Sequence, residues 1–141
     1  LCFIPYPAKT FLVFMKKIVK TSQAPDPVGP YNQAVSHSGT LFISGQIALD
    51  PDSGELAISD IETETRRVMD NIKAILQEAG VGFAEVLKCS IFVSDINNYS
   101  RINAVYAGYF DEATAPAREL VEVANLPKGV NVEISAIAAV G

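Results

Sequence analysis

Ser59-Asp60-Ile61-Glu62-Thr63-Glu64-Thr65-Arg66-Arg67-Val68-Met69-Asp70-Asn71-Ile72-Lys73-Ala74-Ile75-Leu76-Gln77-Glu78-Ala79-Gly80 is where the chain changes its period. Ile61, Thr65, Val68, Ile72, Ile75, Leu76 and Ala79 recur at spacings of three and four, which puts them on one stripe of an amphipathic helix. Ser59 with Glu62 fits a capping box, acids crowd the first turn, and Gly80 supplies a left-handed stop.

Outward from this helix the pattern belongs to strands. On the N-terminal side, Asp50 to Gly54 is a polar turn, and Ser38-Gly39 joins Asn32–His37 to Thr40–Ser44 as a hairpin. Three prolines and a glycine keep Ala24 to Pro30 in an irregular loop, and Lys17 to Lys20 makes a short edge strand. On the C-terminal side, Val86 to Val93 reads as a strand buried largely on both faces, followed by a second helix from about Asn98 to Phe110. Arg118–Ala124 and Val130–Val140 read as strands around a turn at Asn125–Gly129. In the last of them Val132, Ile134, Ala136 and Ala138 share one face, while Glu133 and Ser135 share the other. The order is that of an α+β domain, a mixed sheet with two helices packed on one face. Ile43, Val121, Val123 and Ile137 are expected on the opposite face, and an apolar second face predicts a closed homo-oligomer.

The 141 residues suffice for one domain with its own core. Residues 15–141 are read as that single domain, and residues 1–14 as an extension outside the fold. Phe11 to Phe14 is too short to span a bilayer, and the lysines follow the apolar stretch instead of leading it, so neither a membrane span nor a signal peptide is expected. The net charge is −5, and residues 1–20 carry Lys9, Lys16, Lys17 and Lys20 with no acid, so the body of the chain is more acidic still. Such a body repels phosphate backbones and argues against nucleic acid as a partner. Cys2 and Cys89 do not make a disulfide framework, which points to the cytoplasm. With His37 the only histidine, neither a Ser-His-Asp triad nor a Cys/His metal site is expected.

Chemistry is expected from polar groups placed where a core would prefer none. Arg118 is a lone cation at the head of an apolar strand; it either makes a structural ion pair with Glu119, Glu122 or Glu133, or grips a carboxylate or phosphate with its planar fork. Glu133, flanked by Val132 and Ile134, needs a partner or a raised pKa. Tyr31 follows the rigid Gly29-Pro30, Ser44 ends a strand, and Asn103 sits on an apolar helix face. Cys89 lies mid-strand without an adjacent base and is read as a core residue.

Gly29-Pro30-Tyr31-Asn32-Gln33-Ala34-Val35, Ser44-Gly45-Gln46-Ile47, Asn71-Ile72, Val93-Ser94-Asp95, Asn103-Ala104-Val105-Tyr106, Pro116-Ala117-Arg118, Leu126-Pro127-Lys128 and Val132-Glu133-Ile134 occur in this order. Together they resemble the RidA (YjgF) family of reactive-intermediate deaminases, also known as the endoribonuclease L-PSP family. The resemblance implies a chorismate-mutase-like fold assembled as a homotrimer with clefts between subunits. It also implies hydrolysis of enamines and imines, such as 2-aminoacrylate released by pyridoxal-phosphate-dependent dehydratases, to 2-oxo acids and ammonia, without cofactor or metal. Matching positions give Arg118 to the substrate carboxylate, Glu133 to the water, and Tyr31, Ser44 and Asn103 to the cleft wall. The chain departs from the family pattern at Glu119 and Leu120, where many members have Ser and then Cys or Thr; only the backbone of Leu120 can replace that contact. Strand alternation predicts that Glu119 points away from Arg118. The other readings are a trimeric carboxylate sensor without turnover, a ribonuclease or translation inhibitor, which the acidic body opposes, and a chorismate mutase, which would want more than one cleft arginine.

Overall fold

In the computed structural model, which describes residues 15–141, the Asp60 side chain opens helix α1 (Ile61–Glu78). Its Oδ1 accepts from the Thr63 backbone N–H at 2.7 Å and its Oδ2 from the Thr63 hydroxyl at 2.9 Å. The expected box of Ser59 with Glu62 does not form. Asp60 is extended at φ −154° and already presents the acceptor one residue later, while Glu62 is gripped by Arg101 through both carboxylate oxygens at 2.7 Å. Gly80, at φ 79°, turns the chain out of the helix as the Val81 N–H closes on the Leu76 carbonyl at 3.0 Å. The stripe is buried as its spacing requires: Ile61, Thr65, Val68, Ile72, Ile75 and Leu76 are all buried, and Met69 joins them in the core. Each such apolar side chain contributes about 1.5–3 kcal/mol relative to exposure.

The stripe is covered by a sheet of six strands: β1 (Lys17–Val19), β2 (Ala34–His37), β3 (Thr40–Gln46), β4 (Val86–Val93), β5 (Ala117–Glu122) and β6 (Val132–Ala139), in the order β1-β2-β3-β6-β4-β5. Only β4 and β5 are parallel, and the crossover between them carries the second helix, α2 (Tyr99–Ala107). Helix α1 packs on β3 and β6, and α2 packs on α1. Helix α2 is shorter than its apolar pattern suggests, because Ile96–Asn98 forms a separate 3-10 turn and Gly108 caps the end. Phe110, beyond the helix, closes an aromatic cluster with Tyr106 and Phe83 at ring distances of 4.8 and 5.3 Å.

Two expectations about the sheet faces need correction. Ile43 lies on the helix-covered face, paired with Ala136 and buried, and its neighbour Phe42 is the residue turned outward. Strand β4 is buried on one face only: Val86, Cys89, Ile91 and Val93 are in the core, whereas Lys88, Ser90 and Phe92 face away from the helices. In register, Ile18, Val35, Phe42 and Ile137 form an apolar row across four strands of this open face. Phe42 is 49% exposed.

Three buried polar side chains pin the loops that carry the candidate residues. Gln33 accepts from the Thr21 N–H at 2.7 Å and donates to the carbonyls of Thr21, Ala24 and Pro25, which holds the proline-rich loop before Tyr31. Asn71 donates to the Ile47 and Leu49 carbonyls and ties the end of β3 to α1. Glu64, fully buried, accepts from the backbone N–H groups of Asn131 and Val132 at 2.6 and 3.2 Å, and so anchors the start of β6. Each satisfies backbone groups that would otherwise be buried without partners.

Candidate functional site

Strand β5 sits at the edge of the sheet, and its parallel register places Arg118 beside Cys89, on the helix-covered face. From there the guanidinium reaches α2. Nη1 donates to Asn103 Oδ1 at 2.7 Å and Nη2 to Tyr99 Oη at 2.9 Å, while the rings of Tyr106 and Tyr99 lie 5.0 and 5.7 Å from its central carbon. Among the described residues Arg118 makes no ion pair. Within one chain, therefore, the ion pair with Glu119, Glu122 or Glu133 does not form. Glu119 is on the other face, as alternation predicts, accepting from Ser90 Oγ at 2.6 Å and pairing with Lys88 at 3.3 Å. The guanidinium opens into a cavity of about 650 Å³ walled by Asn103, Tyr106, Phe110, Ala115 and Pro116. A fixed cation held by neutral acceptors, with no anion of its own, is suited to an anion brought by a ligand.

Glu133 belongs to a second cavity, of about 480 Å³, with Tyr31, Ser44, Gly45 and Lys128 on its walls. It pairs with Phe92 and points to the open face of the sheet. Burial pushes its carboxyl above the ordinary 4.5. The side chain lies flat across Gly45. A methyl group there would overlap Glu133 Oε1 and come within 2.9 Å of its Cδ. Ser44 Oγ donates to the Asn32 carbonyl at 2.6 Å, which fastens β3 to the loop of Tyr31, and Tyr31 Oη accepts from the Val28 N–H at 3.3 Å. Lys128 stands at the tip of the Pro127–Gly129 turn with φ 56°, in the left-handed region.

A single chain thus gathers the expected residues into two groups on opposite faces of one sheet: Arg118 with Asn103, and Glu133 with Tyr31 and Ser44. The side chain of Leu120 joins neither, because it pairs with Ile91 and packs on the core. Sequence reasoning did not single out Tyr99, Tyr106 or Lys128 as site residues. Tyr99 and Tyr106 fall four residues before and three residues after Asn103 on one helix face, a spacing that could have found them. For Lys128 the signal was its place between Pro127 and Gly129, where tight turns put the chain at positive φ. Cys89 is buried beneath this cluster, and burial raises its thiol pKa, which makes it an unreactive core group.

Comparison with known proteins agrees with this fold. The sequence profile of the endoribonuclease L-PSP family matches residues 21–140. A RutC family protein of Synechocystis, slr0709, is 52% identical over 123 residues, which cover 86% of this chain and 95% of that protein. The 2-iminobutanoate/2-iminopropanoate deaminase of Bos taurus is 44% identical over 127 residues, covering 90% of this chain and 92% of the bovine one. Among solved structures, that of Escherichia coli TdcF with bound serine superposes with a TM-score of 0.83 at 41% identity, covering 89% of this chain and 99% of TdcF. The chain belongs to the endoribonuclease L-PSP family, the family of the Rid proteins RidA and YjgF.

Proposed function

We propose that this protein hydrolyses small 2-imino acids and their enamine tautomers, such as 2-aminoacrylate, to 2-oxo acids and ammonia, at sites shared between copies of the chain. The observation that carries the reading is Arg118, a fixed guanidinium with no acid of its own at the mouth of a cavity. A 2-imino acid offers a carboxylate next to an electrophilic carbon. The guanidinium anchors the carboxylate and draws charge away as water attacks. Glu133 takes a proton from that water and returns it to the departing nitrogen, a task suited to a carboxyl whose pKa burial raises above the ordinary 4.5. Tyr31, Ser44, Asn103 and the backbone of Leu120 shape the space around the substrate. The uncatalysed reaction is already easy, so positioning with one acid–base group suffices. A bovine relative named as such a deaminase, and the amino acid held by TdcF, support the same substrate class. The removal of reactive products of pyridoxal-phosphate-dependent dehydratases is the role this chemistry serves.

Opposite faces of one sheet cannot act on one small substrate. The apolar row on the open face supplies a surface for association, and a heterologous contact that closes on itself yields a ring. In a homotrimer of this kind, the Glu133 face of one copy meets the Arg118 edge of the next. Each cleft then holds both groups.

The test is release of pyruvate and ammonia from 2-aminoacrylate generated in situ, with the wild type and Glu133→Gln compared. The wild type is expected to accelerate release and the variant to lose most of the effect. Wild-type binding of 2-oxobutyrate without any acceleration would make the protein a carboxylate sensor instead. The pH dependence follows from the direction of the shift. Ionised Glu133 is the base, so wild-type kcat/KM rises with pH through a value above 4.5, and Glu133→Gln lacks that limb. The fold favours the protonated carboxyl, so the stability that Glu133 contributes is present at low pH and declines as the pH rises through its raised pKa. Glu133→Gln is accordingly expected to unfold at or above the wild-type temperature at about pH 7.5, with the difference gone by about pH 4.

A further inference from the structure

The Arg118 guanidinium is steered from two sides. Asn103 Oδ1 takes Nη1, and the phenolic oxygen of Tyr99 takes Nη2. Tyr106 packs against the same group, yet its buried hydroxyl makes no hydrogen bond to it, so it supplies a ring face and not an acceptor. Tyr99 is the first residue of α2, and the turn before it is fastened to the strand that carries Arg118, because the Ile96 N–H donates to Glu122 at 3.1 Å. The turn that leads into Tyr99 and the strand of Arg118 are thus joined by a second hydrogen bond, from a backbone N–H to a carboxylate. A hydroxyl that accepts from a guanidinium keeps its own hydrogen for another acceptor.

We propose that Tyr99 is a positioning residue of the carboxylate clamp, its hydroxyl locking the Arg118 fork in the orientation that receives the ligand; this rests on the reading of Arg118 as the carboxylate anchor. With only Asn103 as acceptor, the guanidinium can turn about its last side-chain bond, and each ligand must then immobilise it on binding. With both acceptors that ordering is complete beforehand, which strengthens binding without touching the chemical step. Tyr99 is 42% exposed, and phenylalanine keeps its ring over Arg118, so Tyr99→Phe removes the acceptor alone.

The experiment measures 2-oxobutyrate binding by calorimetry, and KM and kcat for the corresponding imine, in wild type, Tyr99→Phe and Arg118→Ala. Tyr99→Phe is expected to raise Kd and KM together by about five- to tenfold while kcat stays within about twofold and the melting temperature is unchanged. A purely structural tyrosine would alter the melting temperature and leave KM in place. Tyr99→Phe binding within about twofold of wild type, with Arg118→Ala unable to bind, overturns the role of Tyr99 and leaves the anchor standing. If Arg118→Ala binds like the wild type, the anchor fails and the role of Tyr99 falls with it.

Discussion

In the Arg118→Ala variant, kcat/KM for a 2-imino acid is expected to fall about a hundredfold or more, with the fold intact. A bidentate, charge-assisted grip is worth several times an ordinary hydrogen bond, and here it also sets the angle at which water meets the carbon. A hundredfold corresponds to about 2.7 kcal/mol of transition-state stabilisation. The fold survives because Arg118 neutralises no acid among the described residues, so its removal strands no buried charge. Its loss leaves Asn103 at a water-accessible cavity and Tyr99 on the exposed surface, where solvent can satisfy both. Arg118→Lys should recover little, because an ammonium restores the charge without the fork that matches Asn103, Tyr99 and a carboxylate at once. Steady-state kinetics with thermal unfolding of both variants checks this; near-normal kcat/KM in Arg118→Ala would remove the anchor.

Gly45→Ala should be nearly as damaging, through Glu133. The added methyl would occupy the space of the Glu133 carboxylate, at the point where β3 breaks register with β6 between Ile43 and Gln46, and every close contact it meets is with the end of the Glu133 side chain. The flexible end of Glu133 must therefore swing aside. An acid–base group displaced by more than an ångström loses most of its contribution, so kcat is expected to drop about ten- to a hundredfold with KM little changed. The demand for glycine here comes from close approach alone, since Gly45 is not in the left-handed region. A Gly45→Ala enzyme with normal kcat would mean that the carboxylate need not lie where it does.

What the sequence disclosed was decided by how local each determinant is. The stripe from Ile61 to Ala79 and the alternation from Val132 to Ala138 specify their own elements and buried faces, and both stand in the structure. In Leu41-Phe42-Ile43 every residue is apolar, so the run does not say which side meets the helices; the hairpin register with Ala34 and Ala136 decides it. Arg118 and Glu133 were legible as polar residues in apolar surroundings. That they occupy opposite faces was not, because it follows from pairing Arg118 with Cys89 and Glu133 with Phe92 across strands distant in sequence. Likewise the hydrogen bond from Arg118 to Tyr99 joins residues from a strand and a helix whose approach only the packed fold defines.

The most direct measurement mixes two inactive proteins. Arg118→Ala and Glu133→Gln are assayed for imine hydrolysis separately and then after co-refolding in equal amounts. If each site takes its arginine from one copy and its glutamate from the next, random assembly leaves about a quarter of the sites with both native residues, and activity should return to about a quarter of the wild-type value. A mixture no more active than the sum of its two components would contradict a site shared between copies.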